Sequence, residues 1–289
     1  MLLSKYCYQG KERWSYDEQL LTVGTTLADL LREPLGDLVS TIESRLTSEK
    51  IPSGLSSVAP IDVAQEVWAS GVTYLRSRDA RMAESDIADV YDLVYDADRP
   101  ELFLKALGWR VSGHEGPIRV RSDSDWDVPE PELVLVINSQ LEIVGFTAGN
   151  DVSSRQIEGA NPLYLPQAKV YNGSCAIGPG IVISDGSQKD FVGLPISLNI
   201  SRGETLVFNG ETDTSQMKRS FTELASHLGR ELDFPDGVFL MTGTGIIPPD
   251  DFSLESGDSV EIKVVSYTHL RAHEKDSYLV CRLLLEKKK

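Results

Sequence analysis

The stretch VPEPELVLVI, residues 128–137, sets two glutamates, Glu130 and Glu132, on either side of a proline at the head of a run of apolar β-formers. In a strand, side chains at i and i+2 share a face, so the two carboxylates are expected to project together. Pro131 fixes the backbone at the strand's start, where no ladder donor is required. The unbroken run Leu133–Ile137 predicts a strand buried on both faces, which shields at least one acid from water. Two shielded carboxylates repel each other unless a cation or a shared proton intervenes. A divalent ion with oxygen ligands, Mg²⁺ or Mn²⁺, answers that problem, and a solvated strand end is the plainer alternative.

Around this run the chain reads as mainly β. IRVRS, ELVLVI, IVGFTAG, GPGIVIS, ISLNISR, ETLVFNG, GVFLMTGTG and SVEIKVV succeed one another from residue 118, with only MKRSFTELASHLGREL helical among them. This spacing predicts a β-roll or sandwich with few helices. Neither GxGxxG nor GxxxxGK[ST] occurs, which disfavours a nucleotide-binding α/β sheet. Upstream, residues 1–57 form a small α+β unit whose apolar helix spacing (Leu27, Leu30, Leu31, Leu35, Leu38, Ile42) is interrupted by Pro34 and Gly36. IPSGLSS, residues 51–57, is the predicted boundary. VWASGVTY then reads as a strand and residues 79–97 as an amphipathic helix, opening a second domain over 58–266.

Two further acids lie at strand edges. Asp151 follows a glycine-broken strand end in GFTAGNDVSSR, and Glu101 follows a proline at the head of the apolar run in DRPELFLKAL. Taken singly, each is more simply a turn, cap or solvated residue. Asp123, Asp125 and Asp127 alternate like the start of an EF-hand loop. That pattern fails, with Val128 where the loop needs glycine and Val134 where it needs glutamate.

The net charge of −16 argues against nucleic acid or an anionic membrane as partner. It leaves room for an anionic small molecule, because a bound cation reverses the local field. Cys7, Cys175 and Cys281 have no metal-site spacing and suit a reducing compartment, so the expected location is cytoplasmic. Cys175 reads as a small buried residue rather than a nucleophile. With His269 and His273 in an odd basic tail, only His114 and His227 remain, so catalysis is expected to rest on carboxylates, lysine and hydroxyls.

PEPELVLVI, GFTAGNDVSSR, QAKVYNGSCAIGPGIV and MTGTGIIP together resemble the fumarylacetoacetate hydrolase family over roughly residues 60–265. The resemblance implies that family's C-terminal fold, with Glu130, Glu132 and Asp151 as metal ligands and Lys169 as a catalytic residue. It also implies that Gly243 and Thr244 approach the substrate carboxylate. RPELFLKA, RSDSDWDVPEPEL, GANPLYLPQAK and VWASGVTY are more narrowly similar to the branch that dehydrates 2-keto-3-deoxy sugar acids, which adds Glu101 to the site. The family's hydrolases carry a His-Glu pair that activates water, and here Ser77 stands where that histidine would fall.

The implied reaction is metal-dependent dehydration of a 2-keto-3-deoxypentonate to 2,5-dioxopentanoate. In it the cation stabilises the enolate. Lys169, if desolvated beside the cation, would be suited to general-base work, with Glu101 as its acid partner or in the exchanged role. Arg121 and Ser122 are further candidates for substrate oxygens, with a salt bridge to a neighbouring acid as the plain reading of Arg121. Hydrolysis, decarboxylation or isomerisation of a dioic keto acid is the alternative within the family, and a non-catalytic sugar-acid binding module the alternative outside it. A homodimer or homotetramer is expected. Residues 267–289, YTHLRAHEKDSYLVCRLLLEKKK, read as a non-native tail without β-alternation that replaces the final strand.

Overall fold

The computed structural model of the chain describes residues 1–84, 93–184, 191–266 and 277–286. As predicted, Pro131–Ile137 is a strand with all seven residues buried. It lies within a twelve-stranded sheet, paired antiparallel with Ile143–Asp151 on one side and Val238–Met241 on the other. Outward from Ile143–Asp151 come Cys175–Ile183 and then Leu2–Tyr8. Outward from Val238–Met241 come Glu66–Gly71, parallel to it, and Glu101–Leu107. A second, five-stranded sheet runs in the order Thr205–Asp213, Pro195–Arg202, Asp258–Ser266, Ser277–Leu285, Pro117–Ile118.

The period of two decides what each face of the central strand meets. Leu133, Leu135 and Ile137 join one core with Leu198, Ile200, Val260 and Ile262 of the smaller sheet. Val134 and Val136 join a second core with Leu27, Leu30, Leu38 and Ile42 of the N-terminal helices. Each such side chain stabilises the fold by about 1.5–3 kcal/mol when fully buried. A one-residue slip would turn Glu132 onto the opposite face, so the loading of both faces also fixes the acids in place. The architecture is the expected mainly β one, two packed sheets with helices over the outer face of the larger.

Residues 1–57 contribute strands Leu2–Tyr8, Lys11–Tyr16, Gln19–Leu21 and Leu46–Lys50 to that same large sheet. Their helices, Leu27–Leu31 and Leu35–Ser44, break at Pro34 as the sequence predicts, and Gly36 is accommodated inside the second. Of the expected IRVRS strand only Ile118 pairs, within the short strand Pro117–Ile118; from Arg119 the chain turns away, its N–H donating to Gly173 O instead of a strand neighbour. Helix Leu75–Glu84 covers the first part of the predicted 79–97 helix, and Ile87, Val90 and Tyr91 lie outside the described residues.

The expectation that the chain ends without a final strand is corrected for Ser277–Leu285, which pairs along its length with Asp258–Ser266. Cys281, Leu283 and Leu285 point into the core while Arg282 and Leu284 are exposed. The triple leucine hid this alternation, because its middle member faces outward. His269 and His273 lie outside the described residues.

Candidate active site

Strand pairing brings the acids of two separate motifs together. Pro131 lies opposite Asn150 and Glu132 opposite Gly149, so the ends of both strands meet at one point. The backbone closes there: Asp151 N–H donates to Glu130 O (3.0 Å), and Glu130 N–H donates to Asn150 Oδ1 (3.1 Å). One carboxylate oxygen from each of Glu130, Glu132 and Asp151 lies within 4.8 Å of the others, and all three residues are buried. Among the described residues this is the single cluster of possible metal ligands.

Cations surround this triad. Lys169, at the end of the short helix Leu165–Lys169, donates from Nζ to Glu130 Oε2 (2.8 Å) and Asp151 Oδ2 (3.1 Å). Lys105 Nζ pairs with Asp151 Oδ1 and donates to the carbonyls of Val152 (2.9 Å) and Lys169 (2.6 Å). Arg155 Nη2 lies 3.1 Å from Glu130 Oε1. Glu132 instead accepts the Gly243 N–H at Oε2 (2.6 Å). Burial, then the charges of Asp151 and Glu130, push the Glu132 carboxyl well above the usual carboxylate range, against the opposing pull of Lys169 and the Gly243 N–H.

A cleft opens on this cluster. Its lining includes Glu101, Glu130, Asp151, Lys169, Gly243 and Thr244, so the predicted catalytic pair, two of the three predicted metal ligands and the glycine-threonine turn face one cleft, with Glu132 buried beside them. Two backbone features shape the wall. Gly71 lies opposite Glu101, and a Cβ there would fall 2.0 Å from Glu101 Oε2, so only glycine lets that carboxylate lie across the strand. Val72 next to it adopts φ +52°, a left-handed conformation that costs a β-branched residue about 1–3 kcal/mol. Such strain collects where surrounding structure holds a site in shape.

The substrate candidates divide. Thr244 lines the cleft, whereas Arg121 and Ser122 do not. Arg121 forks onto Asp123 (2.7 and 2.6 Å) and reaches Gln167 O (3.1 Å), and Ser122 is exposed. The neighbouring acid two residues away satisfies the guanidinium, which is the plain reading of that residue. Ser77 is buried and lines the cleft, and no described residue of the lining is a histidine. Burial pushes the Cys175 thiol up to about 12, so it is no nucleophile at neutral pH.

Sequence reasoning missed Lys105, Arg155 and Glu158. Lys105 is fully buried inside the apolar ELFLKAL strand, and a lysine in such a run needs a buried partner, which was the available signal. Arg155 closes the GFTAGNDVSSR motif, and Glu158 follows one helical turn later, buried, accepting from Ser153 Oγ (2.7 Å). Among the described residues, the three carboxylates of the triad meet three cations, Lys105 and Lys169 at Asp151 and Lys169 and Arg155 at Glu130. A three-carboxylate oxygen set suits Mg²⁺ or Mn²⁺.

Comparison with known proteins points the same way. A family profile described as fumarylacetoacetate (FAA) hydrolase C-terminal matches residues 67–273. A probable 2-keto-3-deoxyxylonate dehydratase of Haloferax volcanii is 42% identical over 270 residues, covering 88% of this chain and 92% of its own. A 2-dehydro-3-deoxy-D-arabinonate dehydratase of Saccharolobus solfataricus is 44% identical over 240 residues, covering 81% and 79%. A solved structure of 2-keto-3-deoxy-D-arabinonate dehydratase complexed with magnesium and 2,5-dioxopentanoate matches over 100% of both chains, with TM-score 0.79 and 32% identity.

Proposed function

The chain belongs to the fumarylacetoacetate hydrolase family, and we propose that within it the protein is a hydro-lyase converting a 2-keto-3-deoxypentonate to 2,5-dioxopentanoate. The observation that carries this reading is the convergence of a buried carboxylate triad, a lysine and a further glutamate on one cleft whose described lining holds no histidine. Glu130, Glu132 and Asp151 would hold Mg²⁺, with Mn²⁺ fitting the same oxygen set. When bound, that ion supplies positive charge for the keto and carboxylate oxygens and for the charge that develops as carbon 3 loses its proton.

The chain's own groups do the rest. Lys169 and Glu101 divide the proton transfers, one taking the carbon-3 proton and the other protonating the departing carbon-4 hydroxyl. Loss of both as water leaves a double bond between carbons 3 and 4. Proton shifts from carbon 5 then turn the terminal hydroxymethyl group into the aldehyde. Gly243 and Thr244 flank the substrate carboxylate, with the Gly243 N–H already committed to orienting Glu132. We further take the protein to act in the cytoplasm as a homodimer or homotetramer, readings that rest on the sparse cysteines and on the family resemblance.

The test is direct. With Mg²⁺ and 2-keto-3-deoxypentonates of both carbon-4 configurations, the protein should release 2,5-dioxopentanoate, and chelation should stop it. No semialdehyde from any epimer, while the protein still binds Mg²⁺, would sink the assignment.

A further inference from the structure

Resting on the proposed division of proton transfers between Lys169 and Glu101, we infer that Lys105 is a positioning residue that fixes the separation of those two groups. The strand Glu101–Leu107 carries both Glu101 and Lys105. Its pairing with Glu66–Gly71 changes register partway along. Val67 lies opposite Ala106 and Trp68 opposite Leu104, so Lys105 is the extra residue of a β-bulge. Phe103 and Ala106, three residues apart, pack into the same core, which an unbroken period of two would forbid. A bulge interrupts the ladder and re-aims a side chain. Here the re-aimed group is an ammonium, fully buried, that reaches the segments carrying Asp151 and Lys169.

The donors of that ammonium are fully used. A lysine Nζ carries three N–H groups, and those of Lys105 meet Asp151 Oδ1, Val152 O (2.9 Å) and Lys169 O (2.6 Å). Three acceptors in different directions hold the group like a tripod. The Lys169 carbonyl closes the five-residue helix Leu165–Lys169, an end whose carbonyls need partners from outside the helix. Lys105 and the hydroxyl of Ser174, at 2.8 Å, supply them to this carbonyl. So short a helix has little stiffness of its own, and Lys105 ties its end to the strand that presents Glu101 to the cleft. Lys105 is not among the described residues of the cleft lining, so its effect passes through the groups it holds.

Lys105→Met decides the matter when turnover is counted per folded molecule, with circular dichroism giving the folded fraction and Mg²⁺ saturating. The variant's kcat on the 2-keto-3-deoxypentonate should fall by about a hundredfold, the effect of a displacement near 1 Å at a reacting group. Its KM should stay within about threefold, because the substrate is held by the ion and by the Gly243–Thr244 turn. Calorimetry should show that it still binds Mg²⁺, since all three carboxylates of the triad remain. A purely structural lysine would lower activity in step with the folded fraction and leave kcat per folded molecule unchanged, and that result overturns the inference. So does loss of Mg²⁺ binding, which would make Lys105 a support for the ligand Asp151 and not for the proton-transfer pair. Lys105→Gln keeps two N–H donors on a shorter, uncharged arm, and should show the same fall in kcat at unchanged KM if the methionine variant does not fold. Failure of both variants to fold would make Lys105 a folding residue and overturn the inference as well. No 2,5-dioxopentanoate from the unaltered protein removes the proposed dehydration and the inference together.

Discussion

Asp258 and Asp151 are both aspartates at strand ends and both almost wholly buried, yet they live in opposite electrostatic settings. Asp258 faces Arg202 across paired strands and takes its fork, Nε to Oδ1 at 2.8 Å and Nη2 to Oδ2 at 3.0 Å. The Glu255 N–H completes the set at 2.9 Å. One buried acid takes the fork of one planar cation, whose remaining arm reaches the exposed Glu255, and the hydrogen bond to Asp258 raises the pKa of Arg202 in return. Asp151 shares its surroundings with Glu130 and Glu132, and Lys105 and Lys169 both reach it. The first arrangement is closed and needs nothing more. The second crowds three buried carboxylates together, a cost a protein tolerates where a cation is to be received.

The sharpest way to break this contrast is Lys105→Met. It removes a fully buried cation from Asp151 and strips the carbonyls of Val152 and Lys169 of their donor. The expected cost is about 3–5 kcal/mol in the metal-free protein, read from the urea midpoint. Mg²⁺ should recover little of it, since a cation at the triad cannot replace an N–H at two carbonyls. A loss below about 1 kcal/mol would mean that Asp151 does not depend on its lysines.

Asp258→Asn should cost less, about 1.5–3 kcal/mol, because Arg202 is part-exposed and keeps its pairing with Glu255 and access to water. Dehydratase turnover and the stabilisation given by Mg²⁺ should both be kept. Loss of either would show that the closed pair is coupled to the cleft, and the contrast would fail.

How much of this was legible depended on whether the signal lay along one strand or between strands. The Glu130–Glu132 pair and the burial of Leu133–Ile137 follow from the period of two, which a single strand displays in full. Asp151 was recognisable as a strand-end acid, but its meeting with Glu130 is a matter of register, Pro131 opposite Asn150, which no linear spacing encodes. Lys105 escaped because a lysine in ELFLKAL is read as a break in an apolar run until its three partners are seen. Arg121 was misplaced for the converse reason. Its chemistry suits a substrate oxygen, but Asp123 lies two residues away and takes both arms of the guanidinium. Leu284 faces outward within a triple leucine, and that concealed a strand that completes the smaller sheet.

The smallest effect on the metal-free protein, and the most telling, should come from Glu132→Gln. Glutamine keeps the shape of the side chain and can still accept the Gly243 N–H through its own oxygen. It removes one of three carboxylates crowded within 4.8 Å, so the lost charge is one the metal-free fold gains little from holding. Metal-free stability should therefore move by less than about 1 kcal/mol, in contrast to the larger losses at Lys105 and Asp258. The response to Mg²⁺ should change instead. At one hundred times its Kd the ion stabilises the unaltered protein by about 2.7 kcal/mol, and the variant should lose most of that together with turnover. Were Glu132→Gln to cost as much as Lys105→Met without metal, Glu132 would belong to the same closed kind of pair as Asp258. The acids of VPEPELVLVI would then serve the fold before they serve a cation.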